Sequence, residues 1–147
     1  MYDRILLATD GTPSSAEAEA QAIDLAKALG SRLLIISVVD ERILGAYPGD
    51  EYIHEHEGLE EALVGEVEDA LQAAVAKADG TGLDIATFQR RGNPVDEILD
   101  VIDDEGIDLV VLGTSEAEGT YRELLGSVAE RVAHRADVTV MIVKSMD

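Results

Sequence analysis

The sequence predicts an α/β domain, an open parallel sheet flanked by helices. Three observations carry that expectation. Short aliphatic runs alternate with longer segments whose apolar residues recur every three or four positions. Most junctions between them carry a glycine or a proline. The length of 147 residues is that of one ordinary domain, able to bury roughly two thirds of its extended surface.

Ile5-Leu6-Leu7-Ala8-Thr9 reads as the first buried strand, and Asp10-Gly11-Thr12-Pro13 as a turn into the first helix. Two caps compete there: Thr12 with Pro13 in the first helical position, or Ser14 with Glu17 as a capping box. Ala16, Ala20, Ile23, Ala26 and Leu29 follow at helical spacing, and Gly30 stops the helix. Leu33 to Val39 is continuously apolar, as in a strand buried on both faces of a parallel sheet. From Asp40 to about Gly58, Pro48 and Gly49 argue against regular structure. Leu59, Leu63, Val67, Leu71, Ala74 and Ala78 mark a long second helix, ended by Gly80 and Gly82.

Leu83 to Gln89 is a weaker third strand, and Arg90-Arg91-Gly92-Asn93 a turn in which Asn93 caps a helix with Pro94 at its first position. That third helix buries Val95, Ile98, Leu99 and Ile102 and ends at Gly106. Ile107 to Leu112 is the fourth strand, and Gly113 opens a polar loop to about Tyr121. A fourth helix runs through Val128, Val132 and Ala136, and Val138 to Val143 is the last strand. The order βαβαβαβαβ imposes parallel strands and right-handed crossovers. Five strands cannot close an eight-stranded barrel, so the sheet is open, and residues 1–147 form one domain.

Composition narrows the function. Without cysteine there are no disulfides, thiolate metal sites or cysteine nucleophiles. With no tryptophan and one phenylalanine, the core is aliphatic. No apolar run approaches the ~20 residues of a membrane span, and Met1 to Ile5 shows no secretory pattern, so the expected compartment is the cytoplasm. Eleven basic residues against 31 acidic give a formal charge of −20, which excludes a generic nucleic-acid surface. That density of acid reads either as a surface tuned for solubility or as adaptation to molar salt, where screening acts within about 3 Å and like charges cost little.

In open parallel sheets, ligands bind beyond the carboxyl ends of the strands. The candidates are Asp10, the Val38–Asp40 segment, the 90–93 turn and the 113–127 loop. Asp10 reads either as a turn-former beside Gly11 or as an acceptor for ligand hydroxyls and ring amines. Gly113 allows close backbone approach to a ligand. Gly126-Ser127 reads either as a packing glycine with a cap, or as an anion site with exposed amides and a hydroxyl. Neither the dinucleotide fingerprint nor the P-loop pattern is present. His54 and His56 read as part of a solvated polar loop and not a metal site, and His134 with Arg135 suits a helix C-terminus.

The stretches ILLATDGTPSS at 5–15, LLIISVVD at 33–40, DLVVLGTS at 108–115 and GSVAERVAHRADVTVMIVK at 126–144 together resemble the universal stress protein (UspA-like) family over nearly the whole chain. The resemblance implies a doubly wound sheet of order 3-2-1-4-5 with helices on both faces, and a cytoplasmic homodimer joined through the last strand. Some members bind ATP and others do not. In the binding signature, Gly113 matches the first glycine, and Gly126 and Ser127 match the end. Asp10 matches a carboxylate that contacts the nucleoside, Val38 and Leu112 match apolar neighbours of the base, and Val128 matches a residue whose amide faces phosphate. The resemblance thus implies ATP as ligand if this chain is a binding member, and a bound divalent cation, magnesium, would invert the charge balance at the phosphates. The alternative is a dimeric protection or interaction module that has lost the nucleotide.

Glu116 stands where the signature has its second glycine. A carboxylate ~6 Å from a phosphate charge is repelled by roughly 3 kcal/mol at an effective dielectric of ~20, but by under ~1 kcal/mol in a water-like medium. If the position needs left-handed backbone, a residue other than glycine adds roughly 1–2 kcal/mol that salt does not screen. Glu116 also offers a carboxylate able to polarise water for weak ATP hydrolysis, although the sequence supplies no oriented partner for it.

Overall fold

Aliphatic strands buried on both faces set the architecture. The computed structural model describes residues 1–45, 53–114 and 128–144, with side chains for 1–44, 58–114 and 128–144. Strand β1 (Arg4–Ala8) lies at the centre of a five-stranded sheet, between β2 (Arg32–Asp40) and β4 (Leu109–Gly113). Beyond these lie β3 (Ile85–Gly92) and β5 (Thr139–Val143), giving the order β3-β2-β1-β4-β5 with every pair parallel. This is the open doubly wound sheet expected from the sequence. Ile5, Leu7, Leu33, Ile35, Leu109 and Val111 face one core, under helices α1 (Ala16–Leu29) and α3 (Ile53–Lys77). Leu6, Leu34, Ile36, Val110 and Leu112 face the other, under α4 (Pro94–Glu105) and α5 (Val128–Arg135). A short helix, α2 (Glu41–Gly45), follows β2 directly.

Several local expectations are corrected. The inward stripe of α1 is Ala18, Glu19, Ala22, Ile23 and Ala26, whereas Ala16, Ala20 and Leu29 are exposed. Alanines on every side of this helix leave its apolar phase ambiguous. Strand β3 continues through Arg90–Gly92, which the sequence suggested as a turn, because the nine-residue β2 offers partners as far as Asp40. The segment after Asp40 is not wholly irregular: it contains α2, and α3 begins at Ile53, so positions 54 and 56 are helical. Pro48 and Gly49 lie outside the described residues.

The cap of α4 forms as expected. Asn93 has extended backbone, its Oδ1 accepts from the Val95 amide at 3.0 Å, Pro94 opens the helix, and Gly106 closes it in a left-handed conformation. Asn93→Ala is expected to remove about 1 kcal/mol of stability, read as a lower urea midpoint at unchanged slope.

Candidate functional site

Strand β1 ends at Ala8, but its ladder continues one bond further, from the Thr9 amide to the Ile36 carbonyl at 3.0 Å. The chain then turns at Gly11, whose φ of +77° suits glycine and whose missing Cβ leaves room for Ala70 on α3. Asp10 organises this turn. Its Oδ1 accepts from the Thr12 amide (3.0 Å), the Thr12 hydroxyl (2.6 Å) and the Ser15 hydroxyl (2.7 Å). Neither cap expected from the sequence makes a side-chain cap bond. Thr12 and Pro13 do open a 3-10 turn (Pro13–Ser15), and α1 starts only at Ala16. A carboxylate two residues before Thr12 competes for its hydroxyl, and a charged acceptor bonds more strongly than a neutral one.

A second layer supports the turn from below. Glu19 is 3% exposed on the inner face of α1, accepts from the Thr9 hydroxyl at 2.8 Å, and pairs with Lys77 at the end of α3. Thr9 Oγ1 in turn accepts from the Gly11 amide at 3.2 Å. The two residues flanking Asp10 are thus joined to each other, to α1 and to α3. Sequence reasoning missed Glu19, because an alanine-rich helix hides which of its positions face inward.

The 3-10 turn packs against the end of β4. A Cβ on Gly113 would lie 2.8 Å from the Ser14 carbonyl oxygen and 3.3 Å from Ser15 Cα. Gly113 therefore has a packing reason within the protein, where the sequence suggested approach to a ligand.

Between these elements lies a cleft of ≈ 110 Å³ at the carboxyl ends of β1, β2 and β4. Ile36, Val38, Ile98, Leu112, Val128 and Ala129 form its apolar walls, and Thr9, Asp10, Ser15 and Ser37 its polar side. Asp10, Val38, Leu112, Gly113 and Val128, all singled out from the sequence, converge on this one space. Gly126, Ser127 and Glu116 lie outside the described residues. The 90–93 turn contributes only its neighbour Pro94.

Asp40 also lines the cleft, together with Arg42, which the sequence did not single out. Arg42 donates to Asp40 from its amide and Nε at 2.9 and 3.0 Å, and from NH2 at 2.9 Å. The pair is largely buried and mutually neutralised. It is a polar wall of low net charge. Beside it, Arg91 on β3 bridges Glu60 and Glu41, and those hydrogen bonds, Glu60 first, raise a guanidinium pKa that is already high. Arg91 is therefore a permanent cation, tying β3 to α2 and α3.

His134 is exposed in the last turn of α5, away from the cleft, and Arg135 beside it pairs with Asp96 on α4 at 3.0 Å. Positions 54 and 56 fall in the first turn of α3. Among the described residues, no three His, Asp or Glu side chains come together as a metal site. Among them too, no helix is long and apolar enough to cross a membrane.

The architecture is that of doubly wound α/β proteins whose ligand cleft opens where the strand order reverses, here between β1 and β4. The chain belongs to the universal stress protein family, whose sequence profile matches residues 1–144. A universal stress protein of Methanocaldococcus jannaschii is 35% identical over 144 residues, covering 98% of this chain and 83% of that one. The solved structure of a universal stress protein in complex with cAMP is 26% identical, with a TM-score of 0.72 over 98% of both chains. UspA from Lactobacillus plantarum, at 24% identity, shares the fold with a TM-score of 0.80 over 97% of both chains.

The Gly113 contact makes a direct test. Gly113→Ala forces a Cβ against the backbone of the 3-10 turn and is expected to destabilise by about 1–3 kcal/mol. A urea midpoint equal to that of the parent would contradict this packing.

Proposed function

We propose that this protein is a stress-response protein whose cleft binds an adenine nucleotide, ATP with magnesium by preference, at the carboxyl ends of β1, β2 and β4. The observation that carries the proposal is Asp10, held by three hydrogen bonds at the polar end of an otherwise aliphatic cleft. Such a cleft suits a flat ring with apolar faces joined to a hydroxyl-rich group. Val38, Leu112 and Val128 flank the ring, and Asp10 accepts from the nucleoside. Gly113, Gly126 and Ser127 complete the phosphate side. Supporting this, a relative at 26% identity has been solved with cAMP.

The protein works as a homodimer in the cytoplasm, paired through β5. That strand is at the sheet edge and exposes Ile142. The charge of −20 supports a protein suited to high salt.

One observation favours a second reading, a dimeric protection or interaction module without nucleotide. Gly113 is accounted for by the Ser14 contact, so this part of the signature survives even where no ligand binds. Glu116, in place of the second glycine, points the same way.

Calorimetric titration with ATP at high salt, with and without magnesium, separates the two. Saturable binding at or below millimolar ATP is expected, and none at millimolar ATP leaves only the second reading. Asp10→Asn keeps an acceptor for the turn but loses the carboxylate, so binding should weaken about tenfold, or about 1.4 kcal/mol, with little change in stability. Glu116→Gly should strengthen binding. Refolding yield should rise with salt, and full stability in dilute buffer would refute the salt-adapted reading.

A further inference from the structure

Ser37 interrupts the aliphatic run of β2. It is 2% exposed, and its Oγ has no hydrogen-bond partner among the described residues. Its neighbours at two-residue steps, Ile35 and Val39, belong to the core under α1 and α3, so its side chain lies on that side of the sheet. There a side cavity of ≈ 20 Å³ is lined by Ser37, Ile43, Leu63 and Val67, with Asp10 and Glu66 also along it. Asp10, Ser37, Val38 and Asp40 line both this cavity and the main cleft, so the two adjoin at Asp10.

A buried hydroxyl without a partner is costly relative to one that is satisfied. An alanine at this position would avoid that cost, and the flanking strand residues are all aliphatic. The side cavity exceeds the ~10–15 Å³ that one water needs, but has no room for a ring or a phosphate. What fits is a single oxygen able both to donate and to accept, as Ser37 itself can.

We propose that this side cavity is a one-oxygen subsite of the cleft, in which Ser37 Oγ hydrogen-bonds a hydroxyl oxygen, either of an ordered water or of the sugar of a bound nucleoside. Ser37 is then a specificity-determining residue at the sugar end of the cleft. The sugar source rests on the nucleotide reading; the water source does not.

The test titrates adenosine, 2′-deoxyadenosine and 3′-deoxyadenosine into the parent and Ser37→Ala, alongside urea denaturation of both proteins. Ser37→Ala is expected to weaken adenosine roughly five- to tenfold. If the oxygen is the sugar's, one deoxynucleoside binds the parent more weakly than adenosine does, and Ser37→Ala abolishes the difference. If it is a water's, both deoxynucleosides match adenosine on the parent, and Ser37→Ala weakens all three alike. Equal nucleoside affinities in the two proteins would overturn the subsite. Should the parent bind no nucleoside, the nucleotide reading fails by itself and denaturation decides the rest. A lowered midpoint in Ser37→Ala supports a held water, and an unchanged or raised one overturns the subsite.

Discussion

The Asp10 carboxylate is the point on which the cleft depends. It follows the central strand and gathers three donors from the next five residues, so the chain leaves the sheet along one defined path. Because that path brings the Pro13–Ser15 turn against Gly113, the ends of β1 and β4 sit at fixed separation. Gly11 adds the third anchor by letting Ala70 of α3 come close. One short loop thereby joins the ends of β1 and β4 to α3 on one side of the cleft. The stabilisation comes mainly from charge-assisted hydrogen bonding to groups that burial would otherwise leave without partners.

Buried polar groups cluster at this end of the sheet. Thr9, Ser15, Glu19, Ser37 and Asp40 are all buried there; among the described residues the one buried polar group elsewhere is Ser31, just before β2. Most are satisfied within the protein: Glu19 by Thr9 and Lys77, Asp40 by Arg42, Ser15 by Asp10. These contacts make the end of the sheet a preorganised polar frame around an apolar slot. Such a frame holds its donors and acceptors in fixed positions. The acidic surface plays a different part, since exposed like charges are screened by salt while the buried pairs are much less so.

Some of this was legible in the primary structure. The strand order implied by family resemblance is the one observed, and Asn93-Pro94 capped the helix it was expected to cap. Five of the seven residues singled out for the site meet in one cleft; Gly126 and Ser127 fall outside the described residues. What was not legible concerned partners distant in sequence. Lys77 is 58 residues from Glu19, and Arg42 joins the cleft only because a helix follows β2 at once. Gly113 was marked for close backbone approach to a ligand, whereas the group packed against it is Ser14 of the protein itself.

By itself the sequence determined the class of fold, because apolar periodicity and glycine–proline punctuation are local signals that survive without knowledge of packing. It determined as well the aliphatic character of the core and the acidity of the surface. Tertiary structure alone decided which face of α1 is buried, which acceptor organises the turn after β1, and why Gly113 must lack a side chain. Each of these depends on a close approach between segments far apart in the chain, and short-range pattern carries no information about such distances.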